Sequence, residues 1–64
     1  MNYLIRTVWS RNGEIHSNLK ETKNKYLAYD IFDAYVKMMS LNRNLGITRV
    51  SLYGDGYEIE RRQS

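Results

Sequence analysis

The chain reads as a two-layer α+β domain, ββαββ, with a four-stranded antiparallel sheet in the order 2-1-3-4 and one helix across one face. Three observations predict it. Asn12-Gly13 sits between apolar–polar runs, Asp55-Gly56 does the same near the other end, and apolar residues recur at helical spacing in the segment between them.

Each dipeptide suits a two-residue type I′ turn, which needs positive φ at both central positions and so fixes a hairpin register. The first turn sets Arg11 opposite Glu14, Trp9 opposite His16, Val8 opposite Ser17, Arg6 opposite Leu19 and Leu4 opposite Glu21. Side chains alternate between faces. One face then carries Leu4, Val8, Ile15 and Leu19. The other carries Tyr3, Ile5, Thr7, Trp9, Arg11, Glu14, His16 and Lys20. The aliphatic face is the expected core side, although Arg6 interrupts it. The second turn sets Tyr53 opposite Glu58, Leu52 opposite Ile59 and Ser51 opposite Glu60, and would bring Arg62 opposite Arg49. Val50, Leu52, Tyr57 and Ile59 share one face, and Arg49, Ser51, Tyr53, Glu58 and Glu60 the other. A bulge in either hairpin would flip part of these assignments.

Between the hairpins, Leu27, Ile31, Ala34, Met38 and Leu41 recur at spacings of four and three, one face of a helix. Thr22 or Asn24 can cap its start. Gly46 can end it in a left-handed cap, with Ile47 folding back onto Leu41. Asp33 and Lys37 make an exposed pair of opposite charges. The elements expected are strands over about 3–10, 14–20, 47–53 and 57–62, with the helix over about 24–44. The helix returns the chain to a third strand parallel to the second, and the first strand fits between them, antiparallel to both. One sheet face is then left to solvent or a partner.

The 64 residues make one domain. Chains this short bury only about 60% of their unfolded surface, so their cores are marginal. The chain has no Cys and one His. Disulfides, Cys-based zinc sites and multi-His zinc sites are therefore excluded, and no metal or cofactor is expected. No stretch is apolar and long enough to span a membrane, and no signal-peptide pattern opens the sequence. The net charge of +3 favours acidic partners without diagnosing nucleic acid.

Two surfaces carry more than packing requires. The registers place Tyr3, Ile5, Trp9 and Tyr53 on the open sheet face, among Arg11, His16, Lys20 and Arg49. Trp, Tyr and Arg are enriched in binding hot spots, and aromatics among cations also suit base stacking with phosphate contact. Cross-strand aromatic pairs that merely stabilise a half-exposed sheet explain the same residues. The partner-binding candidates are Tyr3, Trp9, Arg11, Arg49 and Tyr53. The second surface is a further apolar stripe on the helix, Ala28, Phe32, Tyr35 and Met39, widened by Tyr29 and Val36. It either packs on the sheet rims or forms a homodimer or second interface through Tyr29, Phe32, Val36 and Met39.

No catalytic constellation emerges, and the chain is not expected to be an enzyme. His16 falls opposite Trp9 on a strand, away from any Ser and acid that would complete a triad. Asp30 with Asp33, and Glu58 with Glu60, pair carboxylates without a reason for burial, so neither pair is set up for acid–base work. Gly13, Gly54 and Gly56 belong to turns and Gly46 to a helix end, and none forms a phosphate-binding loop. Arg49, Arg61 and Arg62 gather near one end of the second hairpin, which suggests a basic spot for an anion, and a frayed C-terminal tail explains Arg61 to Ser64 equally well.

With these pieces in place, Tyr3–Trp9 with Asn12-Gly13, Lys25–Leu41, Thr48-Arg49-Val50 and Asp55-Gly56-Tyr57, the chain resembles small phage-encoded proteins of ββαβ or ββαββ form. Some of those are anti-CRISPR proteins, and others inhibit host RNA polymerase or another host enzyme. The resemblance implies a small rigid wedge that blocks a larger host complex, in the cytoplasm of a bacterial host. Many such inhibitors are acidic mimics of nucleic acid, whereas this chain is basic and would instead dock on an acidic patch or near nucleic acid held by its target. A host protein complex is therefore the leading partner class. A nucleic-acid-binding module that uses the same sheet face is the alternative.

Overall fold

A computed structural model describes all residues 1–64. The elements run β1 (Tyr3–Arg11), β2 (Glu14–Thr22), α1 (Lys25–Leu41), a 3-10 turn (Arg43–Leu45), β3 (Ile47–Gly54) and β4 (Tyr57–Gln63). The strands form one antiparallel sheet in the order β2-β1-β3-β4, with the helix on one side, as the turn and connection rules require.

Both turns adopt the left-handed backbone expected of type I′. Asn12 and Gly13 have φ of 53° and 80°, and Asp55 and Gly56 have φ of 48° and 87°. The first hairpin keeps the predicted register along its whole length, from Arg11 opposite Glu14 to Tyr3 opposite Thr22. Asn24 caps the helix, its side-chain oxygen accepting from the Leu27 N–H at 3.1 Å. Thr22 Oγ1 accepts from the Asn24 N–H and holds the cap residue in place.

The helix ends three residues earlier than expected. Asn42 breaks it, a 3-10 turn follows, and Gly46 closes that turn at φ 69°. Leu41 stays 85% exposed, so Ile47 does not fold onto it and is buried with the sheet residues instead. Asp33 and Lys37 are both exposed and form no ion pair.

The second hairpin departs from its turn-derived register. Tyr53 faces Glu58 as expected, but Leu52 then faces Glu60, leaving Ile59 as the extra residue of a bulge. Beyond it Ser51 faces Arg61, Val50 faces Arg62 and Arg49 faces Gln63. Arg62 is thus not opposite Arg49, and Glu58 and Glu60 occupy different faces.

The core lies on the other side of β1 from the one expected. Tyr3, Ile5 and Thr7 are buried beneath the helix, whereas Leu19 is 52% and Ile15 79% exposed. Pairing between β1 and β3 explains the choice. Ile5 stands opposite Leu52 and Thr7 opposite Val50, so these residues share a face, and Val50 and Leu52 are fully buried. The alternative would bury Arg6 in the middle of the stripe, and burying a guanidinium costs several kcal/mol. Burial of each of Ile5, Val50 and Leu52 contributes about 1.5–3 kcal/mol.

The helix is turned to match. Ala28, Phe32 and Met39 are its buried residues, with Tyr29, Ile31, Tyr35 and Val36 packed beside them. The stripe expected to face the sheet is displaced to one flank: Leu27 is 47% and Met38 41% exposed. At about 100° per residue, Asp30, Asp33 and Lys37 lie opposite Ala28 and Met39, so pointing the charges at water points that pair at the sheet. Phe32 and Met39 are therefore core, and Tyr29 and Val36 lie at its margin.

Candidate binding face

The inversion of β1 redistributes the residues expected to meet a partner. Tyr3 is 7% exposed in the core. Trp9 and Arg11 belong to the helix side, since they alternate with the open-face residues of β1. Trp9 stacks on His16 with ring centroids 5.6 Å apart and planes inclined by 21°. His16 Nε2 in turn lies 3.5 Å from Glu14. Of the five candidate partner residues, Arg49 and Tyr53 alone stand on the open face, joined there by Leu4, Val8, Ile15 and Leu19, the side chains expected in the core.

Three rows cross the open face from β2 to β4. The first contains Glu21, Leu4, Tyr53 and Glu58, the second Leu19, Arg6, Ser51 and Arg61, and the third Ser17, Val8, Arg49 and Gln63. The half over β2 and β1 is thus aliphatic: Leu4, Val8, Leu19 and, beyond Ser17 on the same side, Ile15. The half over β1, β3 and β4 is built on Arg6, Arg49, Arg61 and Tyr53. The signal that identifies this face in sequence is Arg6, a charge in the centre of an apolar stripe.

The arginines are not equivalent. The bulge at Ile59 brings Glu58 and Arg61 to the same side, and they pair through two contacts, Nε to Oε1 at 2.9 Å and Nη2 to Oε2 at 3.0 Å. That hydrogen-bonded carboxylate, with its charge, holds the Arg61 guanidinium above its ordinary pKa. Arg6 and Arg49 form no ion pair, and their Nε atoms are covered without a hydrogen-bond partner. Ser51, between them, is fully buried and its hydroxyl is also unpartnered. Arg6 stands opposite Ser51 and Arg49 two positions away on β3, so the serine is flanked by stems that can bury their apolar length while the charged ends stay in water.

The helix side offers a different feature, a shallow groove of about 290 Å³ between β1 and the C-terminal half of α1. Trp9, Tyr35, Met38, Leu45 and Ile47 give it an apolar lining, with Thr7, Arg11 and Asn18 as the polar contributors. Thr7 Oγ1 is buried there without a partner. This volume is at the lower end for ligand sites. The lining holds no carboxylate, His or Cys side chain. No group of three or more His, Cys, Asp or Glu side chains gathers anywhere to hold a metal, and no helix is long and apolar enough to cross a membrane.

No family model, curated protein or solved structure shows significant similarity to this chain.

Proposed function

We propose that this chain is a small non-enzymatic binding protein that docks on a protein partner through the open face of its sheet. The observation that carries this reading is the composition of that face. Exposed Ile15 and Leu19 continue into Leu4 and Val8, and beside them stand Tyr53 and two arginines without acidic partners. An apolar area next to Tyr and Arg is the composition of protein interfaces. Arg6 and Arg49 would meet carboxylates of the partner, and the fork of each guanidinium gives such contacts orientation. A short sheet with one helix behind it makes a rigid plate, suited to cover a working surface of a larger host complex. That is the mode of action implied by the resemblance to phage-encoded inhibitors.

The face supports nucleic-acid binding less well. Stacking needs several exposed aromatics beside cations. With Tyr3 in the core and Trp9 stacked on the helix side, Tyr53 is the aromatic that remains, flanked by Glu58 and Glu21 across the row. Affinity capture from a bacterial lysate with the wild-type chain, Leu19→Asp, Arg49→Glu and the helix variant Lys37→Glu tests the reading. A protein retained by wild type and Lys37→Glu but lost with both face variants is the expected outcome. Capture that is indifferent to Leu19 and Arg49, or tight binding to generic RNA or DNA with a steep salt slope, would refute it.

A further inference from the structure

The two edges of the sheet are protected to very different degrees. β4 carries Glu58, Glu60, Arg61 and Arg62 and is bent by the bulge at Ile59, both recognised devices against edge pairing. β2 has neither. It runs nine residues without a register shift, is exposed almost throughout, and its middle, His16 to Leu19, bears no carboxylate or ammonium group.

The turn geometry determines which of its peptide groups are free. Arg11 and Glu14 flank a two-residue turn and so exchange hydrogen bonds, as do the alternate pairs Trp9–His16, Thr7–Asn18 and Ile5–Lys20. The peptide groups of Ile15, Ser17 and Leu19 therefore point away from β1 and have no partner strand.

We infer that β2 pairs with β2 of a second copy of this chain, antiparallel and centred on Ser17, to give a continuous eight-stranded sheet. The sequence of the strand is complementary to itself in this register. Ser17 stands opposite the second copy's Ser17. Ile15 stands opposite Leu19, twice by symmetry, and these are two of the most exposed aliphatic side chains of the sheet, at 79% and 52%. On the helix side, Glu14 stands opposite Lys20, again twice, in the closer, non-hydrogen-bonded positions where opposite charges attract. Shifting the centre to Asn18 would set Ile15 opposite Glu21 and His16 opposite Lys20, losing both the aliphatic and the charge match. The free peptide groups of Ile15, Ser17 and Leu19 are also those that the Ser17-centred register joins. A two-fold axis perpendicular to the sheet places both helices on one side. The two open faces merge into one surface with an aliphatic centre and arginines at each flank. This inference does not depend on what that surface binds. The contact is narrow, so dissociation constants on the order of ten to several hundred micromolar are expected.

Sedimentation velocity or light scattering across a concentration series reads the mass directly. The expected result is a rise from one 7.6 kDa chain toward two as concentration increases. Ser17→Pro removes an outward N–H and no bond of the β1–β2 ladder, so it should leave a folded monomer at all concentrations. Lys20→Glu should weaken dimerisation about tenfold by setting like charges opposite each other twice, and the double variant Glu14→Lys/Lys20→Glu should restore it. A wild-type chain that stays monomeric to millimolar concentration would overturn the proposal. So would a dimer indifferent to Ser17→Pro, or one not rescued by the charge exchange.

Discussion

Gly46→Ala is the substitution with the most sharply determined outcome. Gly46 has φ 69° and ψ 22°, a conformation that costs an L-residue about 1–2 kcal/mol. Its carbonyl accepts the Ser10 N–H at 2.9 Å, which joins the 3-10 turn to the end of β1. A Cβ at this position would drive into the carbonyl oxygen of Ser10, a backbone atom that no rotamer change can move aside. Relief requires β1 to retreat from the turn, with loss of that hydrogen bond for about 1 kcal/mol more. The sum is about 2–3 kcal/mol, against a total stability of about 3–10 kcal/mol for a chain of this size. In a domain this small, the melting temperature should fall by about 10–20 °C. Gly13→Ala is the control, because its Cβ would meet open space and the backbone conformation alone, φ 80°, would be strained. It should cost about 1 kcal/mol, or about 4–8 °C. Thermal melts and urea titrations followed by circular dichroism measure both. If the two variants were equally stable within about 0.5 kcal/mol, the close approach of Gly46 to Ser10 would not exist as described.

Other substitutions test the face assignment and the caps. Ile5→Ala, in the core, should cost about 2–5 kcal/mol in urea unfolding, whereas Leu19→Ala, on the open face, should cost under about 0.5 kcal/mol. Reversal of that ranking would return the core to the aliphatic face. Asn24→Ala removes the side chain that accepts from Leu27 N–H, and should lower stability by about 1 kcal/mol, with Asn24→Ser restoring it. The Asp55 carboxylate accepts the Asn2 N–H at 2.8 Å while the Asp55 N–H donates to the Asn2 carbonyl. Asp55→Ala should cost about 1–2 kcal/mol, and hydrogen exchange should quicken at the Asn2 amide.

What was legible in the sequence is what short-range chemistry dictates. Asn12-Gly13 admits one tight turn, and from it the whole β1–β2 register follows. Strand order follows from the helix between two hairpins. The choice of faces is not local. It depends on Ile5 meeting Leu52 and Thr7 meeting Val50, pairs between residues far apart in the chain. Arg6 was the clue within β1. On the helix, apolar residues extend well beyond one stripe, and the midpoint of that arc, opposite Asp30, Asp33 and Lys37, marks the buried side better than the spacing of leucines does. The bulge at Ile59 has no signature in the residues around it, yet it decides that Arg61 can reach Glu58 and that Arg62 leaves Arg49. The partner candidates Tyr3 and Trp9 were displaced for the same reason as the core, because both belong to the odd-numbered side of β1.

The pairing of β1 with β3 also governs how the chain must fold. Each hairpin can close on its own within microseconds, since its contacts are local. Joining them means bringing together residues as distant as Asn2 and Asp55, 53 positions apart, and the entropy of closing that loop falls before most of the core is buried. Until then β1 is an unprotected edge whose apolar side, Tyr3, Ile5 and Trp9, waits for both the helix and β3. Folding speed should therefore respond to changes along Ile5, Val50 and Leu52, where hairpin meets hairpin, and hardly at all to changes in β4. β1 and β3 each gain one neighbour from their own hairpin and the other only when the two hairpins join.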